Sequence, residues 1–207
     1  MALHLQNEHS FIFNMARITD RSKIIKIQEA TIKTVVDEGI KNASVAKITK
    51  QAEVSMGYLY RFYLGKDDLI RSIFKDLFKK STEHLSLLLK NEKSLKIVIT
   101  KFISNLFEQA NNNPNHILFL LKLMTDYSFR LTQEDKDILS KTCKNAIELG
   151  HKTKEINNSI TPEILYTIII GTTFFFINSR ERNIFSASEF NEDDVQLITE
   201  IYMKALA

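Results

Sequence analysis

Tryptophan is absent from this chain of 207 residues, which also has one cysteine, two prolines and five glycines. The lone Cys143 cannot close an internal disulfide. Without a Cys-x-x-Cys pair or a Cys/His cluster, no metal site is expected. So few Gly and Pro argue against a β-rich fold, which spends those residues at its many corners. Phosphate-loop, G-x-S-x-G and H-E-x-x-H patterns are missing too, and the carboxylates are scattered along polar helix faces. The expectation is therefore a protein that is not an enzyme and carries no cofactor. The longest apolar stretch, residues 164–177, is 14 residues long, too short to cross a bilayer comfortably. Residues 11–13 (FIF) are apolar but follow no basic segment, so no secretory leader is read there. A reducing, cytoplasmic setting with no membrane partner is expected.

What is present is ordinary in amount and uneven in place. Apolar residues make up 44% and charged residues 26%, as in soluble globular proteins. Net charge is +3, but residues 1–80 hold 14 Lys and Arg against 9 Asp and Glu, and residues 81–207 hold 14 against 16. A basic front on a slightly acidic remainder suits a nucleic-acid-binding head on a body that does not bind it.

Periodicity is helical throughout. Residues 1–17 read as an extension. Helix one runs Asp20 to Glu38 on Ile24, Ile27, Thr31 and Val35, and ends at Gly39, a residue suited to the left-handed stop. Later helices are expected over 67–90, with Phe74 and Phe78 inward; over 94–111, with Ile97, Phe102 and Phe107 inward; and over 115–130, 132–154, 163–182 and 193–205. Asn111 to Pro114 breaks the chain, and Thr161-Pro162-Glu163 opens a helix. This is an all-α fold of about nine helices. Its expected domains are 18–66 and 67–207, behind the extension.

Residues 44–69, SVAKITKQAEVSMGYLYRFYLGKDDL, are the informative segment. Val45, Ile48 and Ala52 give a first short helix an apolar face; Glu53 and Val54 turn the chain; Ser55 can cap a second short helix. That second helix carries Met56, Gly57, Tyr58, Tyr60 and Arg61 around Leu59. Phenols and a guanidinium on the outside of a short helix suit the floor of a DNA major groove.

At these residues the chain resembles the TetR family of bacterial transcriptional regulators. Ser44, Val45, Ile48, Ala52, Val54, Ser55, Gly57, Leu59, Tyr60, Lys66 and Leu69 match that family's wording in order and spacing. Departures are Glu53 for the usual Gly, Thr49 for Ala, Phe62-Tyr63 for Tyr/His-Phe, and Gly65 for Ser, Asn or Asp. The resemblance implies a helix-turn-helix head whose Met56, Gly57, Tyr58 and Arg61 face the major groove. Tyr60, Lys66, Lys47 and the hydroxyls of Ser44 and Ser55 would then meet phosphates. It also implies a C2 homodimer through the helices at 163–182 and 193–205, reading a pseudo-palindromic DNA operator. A small-molecule effector would be held among the middle helices, with no ligand residue legible beyond weak candidates. Those are Phe74, Phe78, Phe107, Phe119, Met124 and Tyr127, with Phe102 and Phe174 beside them. A repressor released by a hydrophobic ligand is one reading. A helical dimer that binds a ligand or protein and has lost sequence-specific DNA binding is the other.

Overall fold

The computed structural model describes residues 21–185 and 189–207. The extension at 1–17, the start of helix one at Asp20, and Ser186 to Ser188 of the last loop lie outside the described residues. Among the described residues there are nine helices and no strand, in the fold class the sequence implies. They are α1 (residues 21–38), α2 (Val45–Gln51), α3 (Met56–Tyr60), α4 (Lys66–Asn91), α5 (Leu95–Asn112), α6 (Pro114–Thr125), α7 (Gln133–Thr153), α8 and α9. The eighth starts as Pro162–Tyr166, passes through a π turn at Thr167–Gly171 and finishes as Thr172–Glu181; α9 is Glu192–Leu206. The backbone divides into two compact units, one up to Ile73 and one from Phe74 to Ala207, with the division inside α4.

The first unit is built on Ile27, Ile32, Val35, Ile48, Leu59, Leu69 and Ile70, all nearly sealed from solvent. Its buried threonines satisfy themselves locally: Thr31 and Thr34 donate to the carbonyls of Ile27 and Ala30, both at 2.7 Å. Gly39 stops α1 at φ 82°.

In the second unit the core runs along α5 (Val98, Phe102, Ile103, Leu106, Phe107) and meets α6, α7, α8 and α9. Carboxylates tie its helix ends. Glu155 accepts from Ser94 Oγ (2.6 Å), the Leu95 N–H (2.6 Å), the Lys96 N–H (3.4 Å) and Thr153 Oγ1 (2.5 Å), covering the orphan donors at the start of α5. Arg180 holds Asp194 with both guanidinium nitrogens, at 2.7 and 2.9 Å, and lies 4.2 Å over the Phe190 ring. Tyr202 OH of α9 meets Thr172 and Thr173 of α8 at 2.6 and 2.8 Å.

Three local expectations need correction. The helix expected over 115–130 stops at Thr125. Asp126 is extended (φ −96°, ψ 112°), and its carboxylate takes the Ser128 N–H and hydroxyl at 2.8 and 2.6 Å. A local Asx turn competes there with another helical turn. Ile97, expected inward on α5, is 43% exposed, because Leu95, Val98 and Ile99 already fill the inner face. The helix expected over 163–182 is one element in length but carries the π turn, which apolar periodicity did not reveal.

Candidate nucleic-acid interface

Two side chains set the frame of the helix-turn-helix. Ser44 caps α2 by accepting the Lys47 N–H at 3.3 Å, and Ser55 caps α3 by accepting the Tyr58 N–H at 3.1 Å. Each hydroxyl oxygen thereby accepts from its own helix, and its O–H is left as a donor. Between them the chain reverses at Glu53, with φ 56°. The Val54 N–H then bonds the Thr49 carbonyl at 3.0 Å, the long closing bond of a left-handed helix stop. Thr49 fits a position suited to Ala because its buried hydroxyl donates to the Val45 carbonyl at 2.9 Å. Leu59 is fully buried and fixes α3 against the unit's core.

With Leu59 inward, Met56, Gly57, Tyr60 and Arg61 are exposed, at 53% for Met56 and 55% for Tyr60. Tyr58 is half-buried and belongs to a cationic aromatic cluster. Arg61 lies 5.4 Å from its ring centre and 5.5 Å from that of Phe62, and the two rings are 5.2 Å apart. Lys23 of α1 also lies over the Tyr58 ring, 5.1 Å from its centre. Lys23 was not singled out from sequence; the signal that could have found it is the Arg21, Lys23, Lys26 series at the start of α1. The cluster offers two cations and several ring faces beside one short helix, a surface suited to phosphate and base edges.

The two lysines expected on phosphate are otherwise engaged. Lys47 Nζ donates to Glu38 Oε2 at 2.5 Å and to the Asn42 carbonyl at 3.1 Å. Lys66 Nζ donates to the Ile40 carbonyl at 2.9 Å, pinning the start of α4 to the loop after α1. The same helix start is held by Asp68 Oδ2, which accepts the Leu64 N–H at 2.9 Å across Gly65.

The second unit contains a cavity of about 330 Å³, within the range of small-molecule sites. Of the candidates, Phe74, Phe78, Phe102, Met124 and Phe174 line it. Phe107, Phe119 and Tyr127 do not. Phe107 stacks on Phe190 at 4.2 Å, Phe119 is sealed in the core, and Tyr127 is 97% exposed in the turn after α6. Sequence reading missed the α8 contribution of Leu165, Tyr166, Ile169 and Ile170, although the all-round apolar character of that helix pointed to it. Hydroxyls are few: Thr82 donates to Phe78 O (2.9 Å), Thr142 to Ile138 O (2.8 Å), Tyr166 OH points to Met124 Sδ (3.8 Å), and Ser81 stands on the same wall. Burial in this wall raises the Cys143 thiol above its ordinary value and does the same to the Tyr166 phenol. Among the described residues no cluster of His, Cys, Asp and Glu could hold a metal ion, and no helix is long and apolar enough to cross a membrane.

No protein-family profile matches the chain. The chain is 23% identical over 155 residues to the fatty acid metabolism regulator protein of Bacillus subtilis (strain 168), covering 73% of this chain and 80% of that protein. In fold it is similar to a TetR family transcription regulator from Marinobacter aquaeolei VT8, with a TM-score of 0.72 and 21% identity over 92% of this chain and 98% of that one. It is also similar to the transcriptional regulator FadR from Bacillus subtilis in complex with stearoyl-CoA, with a TM-score of 0.63 and 19% identity over 88% of this chain and 99% of that one. The wording of residues 44–69 and the likeness of the whole fold agree: the chain resembles the TetR family of transcription regulators in its helix-turn-helix and has that family's fold.

Proposed function

We propose that the chain is a sequence-specific DNA-binding regulator, a repressor that leaves a pseudo-palindromic operator when a hydrophobic ligand enters the cavity of the second unit. The observation that carries this reading is the α3 surface. Met56, Gly57, Tyr60 and Arg61 stand exposed on a capped helix, beside a Lys23–Tyr58–Arg61 cluster with no evident role in the core. Arg61 and Tyr58 are assigned to base edges, and Tyr60 and Lys23 to phosphates. Lys47 and Lys66 are given the lesser part of positioning the head, since both are already bonded within it.

Two copies must place their α3 helices in successive major grooves, about 34–36 Å apart. We assign the dimer contact to α8 and α9, where Ile164, Phe175, Leu197 and Ile201 are each more than two-fifths exposed. Single exposed apolar residues are common, but four on two neighbouring helices support a partner there. For the ligand, a long acyl chain fits the apolar wall, in keeping with the fatty acid regulator and the stearoyl-CoA complex among the similar proteins. Release requires the ligand to favour a state whose heads no longer match the operator spacing.

Selection of bound duplexes from a randomised pool at two salt concentrations, with and without a long-chain acyl ligand, tests this reading. One pseudo-palindrome, lost at high salt and released by the ligand, is the expected result. The internal engagement of Lys47 and Lys66 favours the second reading, a ligand-binding dimer without sequence preference. Recovery of no motif, with ligand binding intact, would establish it.

A further inference from the structure

Among the 24 residues that line the cavity there is no Lys, Arg, His, Asp or Glu. A carboxylate taken inside would lose its water and meet no cation, and two of the wall's hydroxyls, those of Thr82 and Thr142, already donate to helix carbonyls. The cavity therefore suits the apolar part of a ligand only, and any charge on that ligand has to stay outside. Phe78 and Thr82 of α4 show where the outside begins, because both also line an open groove between α4 and the start of α7. That groove carries Lys75, Lys79 and Lys90 along one face of α4. Three acids share it. Asp135 is buried and accepts the Thr132 N–H at 2.8 Å, Glu83 lies 3.8 Å from Lys79, and Glu134 is exposed. Among the described residues Lys75 and Lys90 make no ion pair.

Resting on the ligand-released reading above, we infer that the effector is an amphiphile with its chain in the cavity and a phosphate-bearing head in the groove beside Phe78 and Thr82, met by Lys75, Lys79 and Lys90. A neutral link such as a thioester passes the apolar wall where a free carboxylate does not. The ligand class is then an acyl thioester of a phosphorylated carrier, and the free acid is discriminated against by desolvation.

Calorimetric titration of the full chain with palmitoyl-CoA, palmitate and hexadecanol, each below its micelle concentration, tests this. Palmitoyl-CoA is expected to bind at least tenfold more tightly than palmitate, and to weaken as salt rises. In the Lys75→Gln/Lys79→Gln/Lys90→Gln variant, palmitoyl-CoA affinity is expected to fall at least fivefold while hexadecanol affinity stays unchanged. The unchanged hexadecanol value also shows that the variant is folded. Equal binding of palmitate and palmitoyl-CoA, or a lysine variant that binds palmitoyl-CoA as the parent does, overturns the head assignment and leaves the chain-in-cavity reading standing. If hexadecanol and both acyl probes fail to bind, the acyl reading of the cavity is wrong and the head assignment falls with it.

Discussion

Glu53 holds a backbone conformation that costs a residue with a Cβ roughly 1–2 kcal/mol, at φ 56° in the turn between α2 and α3. Its compensation is slight: Lys26 Nζ is 3.6 Å away, and the two side chains are 57% and 81% exposed. Glu53→Gly relieves the strain but enlarges the unfolded ensemble, so a net gain of about 0.5–1 kcal/mol is expected. Urea denaturation should show a higher midpoint with an unchanged slope. Arg61→Ala is expected to cost ~1–3 kcal/mol of operator binding and to relax preference at one base position, read by titrating the selected duplex and its single-base variants. Lys66→Ala separates a structural lysine from a phosphate contact. Loss of the Ile40 bond should lower thermal stability by about 0.5–1.5 kcal/mol with the salt slope of binding unchanged, whereas a slope shallower by about 1 puts Lys66 on DNA. The helix cap Ser55 was legible because an N-cap is a local relation between a hydroxyl and an N–H three residues on. The partners of Lys47 and Lys66 were not, since Glu38 and Ile40 reach them through the tertiary fold.

Helix ends are where the elements of the second unit depend on charge. Burial pushes the Glu155 carboxyl up, but bonds from Ser94, Thr153 and the Leu95 and Lys96 N–H groups outweigh it, and the group titrates below the usual carboxylate range. Its contribution is full above about pH 4.3, the ordinary glutamate value, and fades as pH falls through the lower folded value. Glu155→Gln should therefore be less stable than the parent at pH 7, and the difference should shrink on acidification; a gap that stays constant down to pH 3 counts against the charge as its origin. The element boundaries themselves were readable where a cap, a proline or an asparagine run marked them, as at Thr132, Pro114 and Pro162. The early stop of α6 was hidden, because Asp126 offers its carboxylate to Ser128 inside an otherwise apolar stretch.

At the scale of the molecule, the backbone divides into two units within α4, and the proposed dimer would join two copies through α8 and α9. Phe175→Glu with Leu197→Glu places charge on two residues that are 64% and 59% exposed, so the protomer should still fold. Sedimentation is expected to show a monomer, and operator affinity should collapse with it, since a single head loses its second half-site. Of the eight candidates read from sequence, five line the cavity, four of them phenylalanines, against 24 residues in its wall. The error at Phe107, Phe119 and Tyr127 came from reading aromatic content without knowing which helix face looks inward. The π turn at Thr167–Gly171 adds a second source of such error. A π turn takes up one residue more than a regular turn, so the helical wheel before it and the wheel after it are offset by one position, about 100° of rotation. Tyr166 and Phe174 share the cavity although no single 3.6-residue wheel drawn through α8 serves both halves. A substitution scan plotted on one wheel would misassign faces from Thr172 onward, whereas deletion of one residue in the turn would convert it to a regular helical turn and leave both Phe175 and Leu165 facing as they do now.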